Sequence, residues 1–208
     1  MWYFAYGHDM NWRSIAEWSD QYGLRAPLFR SQGKAAVLQH FRLAFARYHE
    51  YWGGGVADII EEPGKSVFGA LVHISVPTFK LLEQMHDRRT DERGREIGSS
   101  RLIDVAVTPY RGGDPIAAVA MQSTDVERGT VPPTRQYISR MVESALELDL
   151  SALWVMQLRS FVSWNESAIQ EIEATKEPAA RAPRRARQVQ IPVTPPIAIT
   201  PATGRIAV

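Results

Sequence analysis

Cysteine is absent from all 208 residues. That excludes disulfide bonds, thiolate metal sites and a cysteine nucleophile. No apolar run approaches the roughly 20 residues that cross a bilayer as a helix. The chain also opens without a basic-then-apolar leader, so the expected compartment is the cytoplasm, with no membrane span. A strong charge of either sign is missing too: 24 Lys and Arg against 23 Asp and Glu leave a formal charge of +1. A basic nucleic-acid-binding domain is not expected from that balance. The five histidines (8, 40, 49, 73 and 86) show no helical metal spacing and no His-x-His or His-Glu-x-x-His pattern. Neither a metal nor another cofactor is expected.

What is present describes a globular body with an appendage. Hydrophobic content of 45% and six Trp suit a buried core. Residues 1–176 read as one domain and residues 177–208 as a tail. The tail holds six Pro, five Arg (181, 184, 185, 187 and 205) and one acid, Glu177. It therefore carries +4, which leaves −3 on the body. Such a stretch lacks the apolar surface to order itself and is expected to be disordered or partner-bound. Val189, Ile191 and Val193 alternate, as do Ile197 and Ile199, a pattern that can add to a sheet edge or fill a partner's groove. The Arg184–Arg187 cluster has no interleaved aromatics to stack bases, so an acidic protein surface suits it at least as well as nucleic acid.

Along the body, Trp2 to Tyr6 reads as a short buried strand that turns at Gly7. Apolar residues at 12, 15, 16, 18 and 22 predict a helix from Trp12 to Tyr22. Ala35 to Tyr48 reads as a strand pair crossing Gln39-His40. Val56–Ile60 and Val67–Ile74, split by Glu62-Pro63-Gly64-Lys65, predict a β-hairpin. A helix is expected from Pro77 to about His86, then an exposed loop from Arg88 to Ser100. Strands follow at Leu102–Val107 and Ile116–Met121, with helices at Arg135–Leu148 and Ser151–Ile172. The triplet Gly53-Gly54-Gly55 lacks the Lys-Ser/Thr and the strand-to-helix context of a phosphate loop, and is read as close backbone packing. Asp58 can point into a pocket or out to water; the sequence leaves both open.

Five segments, in order, carry a resemblance: Tyr3–Met10, Phe41–Phe45, Gly53–Ile59, Pro63–Gly69 and Pro132–Tyr137. Together they resemble the γ-glutamylcyclotransferase-like family across most of residues 1–160. That implies an α+β fold, a small mixed β-barrel with flanking helices, with the C-terminal tail outside it. It also implies a small-molecule γ-glutamyl amide as substrate, cyclised to 5-oxoproline with release of an amine. In the resemblance Tyr6, Gly7, His8 and Asp9 form the substrate loop and Tyr137 lines the pocket. The family's Tyr-Gly-Ser-Asn pattern here reads Tyr6-Gly7-His8-Asp9. The family's catalytic Glu falls on His86, or one residue later on Asp87. A dyad of His8 and Asp9 with His86, and a plain turn in which Asp9 accepts local amides, both fit the loop. Two functions follow: a cyclotransferase with a replaced base, or an inactive member serving as an accessory subunit tethered by residues 177–208.

Overall fold

The computed structural model describes residues 1–24, 33–89, 91–95, 97–124 and 130–161. The apolar opening segment forms β1 (Trp2–Ala5), buried from Tyr3 onward. A buried strand must satisfy its backbone groups on both edges. β1 does so antiparallel to β3 (Gly54–His73), with Phe4 opposite Leu71, and parallel to β5 (Ile116–Ser123), with Tyr3 opposite Val119. β2 (Lys34–His49) pairs with β3, and β4 (Ser100–Pro109) pairs with β2 and β5. The order β1–β3–β2–β4–β5 closes on itself as the small mixed barrel expected from the sequence.

Two local readings are corrected. Ala35 to Tyr48 is one continuous strand, β2, in which His40 takes a left-handed φ of 65° at a break in register. Val56–Ile60 and Val67–Ile74 are not the arms of a hairpin but parts of β3, and both pair with β2: Leu43 opposes Ile59 and Val37 opposes Phe68. Residues 62–65 bulge out between the Phe41–Glu61 and Gln39–Ser66 pairs. Gly64 supplies a φ of 82° there, which serves a bulge as well as it would serve a reversal. A long partner strand decided between the two. The chain instead reverses at the 3-10 turn Glu50–Trp52, closed by Gly53 at φ 62°.

Each helix begins on a residue type that can accept an amide N–H. Asn11 caps α1 (Trp12–Gln21), Ser75 caps α2 (Val76–Met85) and Thr134 caps α3 (Arg135–Glu147). A fourth helix, α4, covers residues 152–161. The rest of the helix expected to Ile172, and the tail 177–208, lie outside the described residues. Two apolar clusters hold the elements together, and alternation along β1 splits its side chains between them. Phe4 and Tyr6 pack with Leu38, Ile59, Met141 of α3 and Trp154 of α4. Tyr3 and Ala5 pack with Trp18 of α1 and with Leu82 and Met85 of α2. Each fully buried large side chain of this kind contributes about 1.5–3 kcal/mol. Among the described residues no helix is long and apolar enough to cross a membrane.

Candidate functional site

The segment after β1 leaves the barrel wall carrying three polar groups into a buried space. Tyr6 donates its hydroxyl to the Met121 carbonyl of β5. Gly7 then turns beneath α3, where a Cβ would stand 2.8 Å from the Tyr137 hydroxyl. Only glycine permits that approach. The 3-10 turn His8–Met10 follows and buries both His8 and Asp9.

Asp9 is held from three sides. Its Oδ2 accepts from the Tyr3 hydroxyl at 2.6 Å, and its Oδ1 accepts from Gly7 N at 3.0 Å. His86, the residue that ends α2, brings Nε2 to 3.4 Å from Asp9 Oδ2. That contact lacks hydrogen-bond geometry, and Nε2 has no other partner among the described residues. Burial pushes the Asp9 carboxyl up, but His86 and the Tyr3 hydrogen bond outweigh it and bring the pKa down to about 2.

His8 has the opposite character. Its ring lies 5.0 Å from Trp52, 5.4 Å from Tyr137 and 6.1 Å from His86, centroid to centroid. The Tyr137 hydroxyl accepts from Ala57 N at 2.9 Å and faces His8 Nδ1 at 3.4 Å. The phenolic oxygen keeps a second lone pair and its own proton, so it can serve His8 Nδ1 as acceptor or as donor, according to the imidazole tautomer. His8 Nε2 is buried without a partner among the described residues. Burial, with His86 and Arg47 adding to it against Asp9, lowers the His8 pKa to about 3. A neutral ring therefore sits beside a charged carboxylate.

A second group lies next to the first. Asp58 points inward from β3 and is 2% exposed. Its Oδ1 accepts from Ile59 N at 2.8 Å and from Ser123 N at 3.1 Å, while Oδ2 has no partner among the described residues. Asp58, Tyr6, Arg47 and His86 line a recess of about 10 Å³. A much larger groove, about 730 Å³, runs along the wall between β2 and β4 past Phe45, Arg101 and Asp104. None of the expected site residues lines that groove, so size does not mark the site here.

The glycine triplet sets the far wall. A Cβ on Gly55 would stand 1.9 Å from the Val131 carbonyl oxygen, and one on Gly54 2.9 Å from that of Pro132. Gly55 N donates to Pro132 O at 2.9 Å and Val131 N to Phe45 O at 2.7 Å. This segment leads straight into the Thr134 cap and Tyr137, so Gly54 and Gly55 are close backbone packing, as expected for the triplet, while Gly53 meets nothing within 4 Å and instead closes the turn before β3. Tyr137→Phe strips a buried N–H and a ring nitrogen of their shared partner. It is expected to cost about 1–3 kcal/mol, seen as a lowered midpoint in thermal melts.

The structure thus gathers Tyr6, Gly7, His8, Asp9, His86 and Tyr137, and leaves Asp87 out. At φ 52° the chain turns away after α2, and the Asp87 carboxylate faces Ser99 N at 3.2 Å and Arg89 Nε at 2.9 Å. Sequence reading missed Tyr3, Arg47 and Trp52. A tyrosine in a fully buried strand needs a partner for its hydroxyl, and that was the available signal for Tyr3. Arg47 and Trp52 had none, because strand register alone brings them here.

No family model matches the chain. It is 29% identical over 164 residues to the γ-glutamylcyclotransferase of Bos taurus, covering 76% of this chain and 77% of that protein. A solved γ-glutamyl cyclotransferase structure superposes with a TM-score of 0.60 at 25% identity, over 76% of this chain and 86% of that one. An uncharacterized protein from Homo sapiens shares the fold with a TM-score of 0.58 at 23% identity, over 76% and 85% of the two chains. In sequence and in barrel topology the chain is similar to the γ-glutamylcyclotransferase-like family.

Proposed function

We propose that the protein binds a small γ-glutamyl amide at the Tyr6–Asp9 loop and cyclises it to 5-oxoproline, in the cytoplasm. The carrying observation is that the loop, His86 and Tyr137 converge at one end of the barrel in a chain similar to a γ-glutamylcyclotransferase. The reaction is intramolecular. The substrate's α-nitrogen gives up a proton and attacks its own γ-carbonyl carbon. The carbonyl then re-forms as the C–N bond to the amine breaks, and the amine leaves with a proton. Nothing is oxidised and no water is consumed. Proximity supplies much of the rate, so the protein must orient the chain, offer donors to the oxyanion and move one proton. Tyr137 walls the site and His86 Nε2 is the proton-handling group expected from the sequence.

One observation favours the second reading, a member that binds or assembles without turnover. The recess at the site is about 10 Å³, far below the about 300 Å³ at which ligand pockets begin. Incubating the full-length protein with a panel of γ-glutamyl amides and quantifying 5-oxoproline separates the two. Release of 5-oxoproline, reduced in His86→Ala, is the expected result. No release from any amide, with a partner captured by the full chain and lost on truncation after Lys176, would establish the accessory role instead.

A further inference from the structure

We propose that Asp58 is the catalytic base of this site, its Oδ2 receiving the substrate's α-ammonium in the recess with the Arg47 guanidinium beside it for the α-carboxylate. The assignment rests on the γ-glutamyl reading above and names the group that moves its proton.

A base needs an unoccupied lone pair. Asp9 spends its oxygens on Tyr3, Gly7 and His86, and Asp87 faces out of the site. His86 Nε2 lies 3.4 Å from Asp9 Oδ2, so that edge of the ring is turned to a carboxylate already in use. Asp58 differs from all three. Oδ1 is anchored by the Ile59 and Ser123 amides, which fixes the carboxylate's orientation, and Oδ2 is buried and unpartnered among the described residues. A native protein that leaves a carboxylate oxygen this way needs a reason for it.

The recess supplies one. At about 10 Å³ it holds a single water-sized group, given that about 10–15 Å³ is needed for one water. An ammonium head is that size. Facing Asp58 are Tyr6 from the end of β1, Arg47 from β2, His86 from the end of α2, Ser100 from β4, and Gln122 and Ser123 from β5. Arg47 donates Nη1 to Ser99 Oγ at 3.1 Å, which holds its guanidinium in place. One fixed cation and one open carboxylate complement the zwitterionic end of an α-amino acid. Burial raises the Asp58 pKa, with the two amides, Arg47 and His86 opposing it. A carboxylate raised in this way accepts a proton more readily than an exposed one. In the step itself the α-ammonium N–H bond breaks toward Oδ2. The freed electron pair attacks the γ-carbonyl carbon to form the C–N bond of the lactam; the nitrogen gives up its second proton as the carbonyl re-forms, and both protons leave with the amine, which departs as its ammonium.

Asp58→Asn keeps an oxygen for both amides and removes the base. With the panel above, kcat/KM is expected to fall at least about 100-fold, and the acidic limb of the pH–rate profile should disappear. His86→Gln should lose less and keep that limb. A thermal melt runs alongside, because Asn removes a buried unpaired charge and should not lower the midpoint at pH 7. Should Asp58→Asn fail to fold, Asp58→Glu serves instead, with a slowed rate and a displaced acidic limb expected. An active wild type whose turnover and pH limb survive in these variants overturns the Asp58 assignment and leaves the γ-glutamyl reading standing. A wild type inactive on every amide overturns both.

Discussion

Acidification from pH 6.5 to 4.5 is expected to remove about 2 kcal/mol of folding stability, the slope rising from half a proton at pH 6.5 towards the roughly 1.4 kcal/mol per pH unit of one proton. The group responsible is His8. Folded, it stays neutral down to about pH 3 because burial excludes the charged form; unfolded, it takes a proton near its ordinary pKa of about 6.5. Between those two values the unfolded chain binds a proton that the native state refuses, so stability falls as pH falls. His49, lowered by partial burial, adds a slope of the same sign. Asp9 does not act in this window. Its depressed carboxyl contributes stability above its ordinary pKa of about 3.8, lost only as pH falls towards about 2. Asp58 opposes the trend, since a raised carboxyl favours the native state once it is protonated. Urea melts at pH 6.5, 5.5 and 4.5 measure the slope. His8→Gln should be less stable at pH 6.5, through lost contacts to Trp52 and Tyr137, yet distinctly flatter with pH. A wild type of constant stability across that range would show that His8 is not buried as a neutral ring.

Gly55→Ala should be the most damaging single methyl added to the site, costing about 3–5 kcal/mol. The new Cβ would meet the Val131 carbonyl oxygen at 1.9 Å and its carbon at 2.8 Å. Those are backbone atoms, and no side-chain rotation relieves them. β3 cannot retreat, because Gly55 is paired with Tyr48 in the ladder to β2. The segment Val131–Pro132 must therefore move. It then gives up its bonds to Phe45 and Gly55, and carries the Thr134 cap and Tyr137 away from His8. Gly53→Ala is the control: its Cβ meets nothing within 4 Å and only the φ of 62° is strained, a cost of about 1–2 kcal/mol. Thermal melts of the two variants decide. Equal, small shifts would mean that the 131–134 segment yields without cost.

Local chemistry decided much of this protein directly from its sequence. The caps Asn11, Ser75 and Thr134, the turn at Gly7, the helical spacing in α1 and α3 and the apolar runs of β1 and β5 are short-range signals, and each element appears where those signals stand. The order of the five segments was enough to point to the barrel and to the loop after β1. What the sequence left open depended on partners far along the chain. The hairpin expected at Pro63-Gly64 is a bulge instead, because β2 is long enough to pair with both halves of β3. Whether Asp58 faced water or the site was settled by strand register and barrel closure, which bring it to Ser123, 65 residues away. The same closure joined Tyr3, Asp9 and His86, while one left-handed residue turned Asp87 outward. Alternation along a strand says that neighbouring side chains face opposite ways. Only the closed sheet says which way is in.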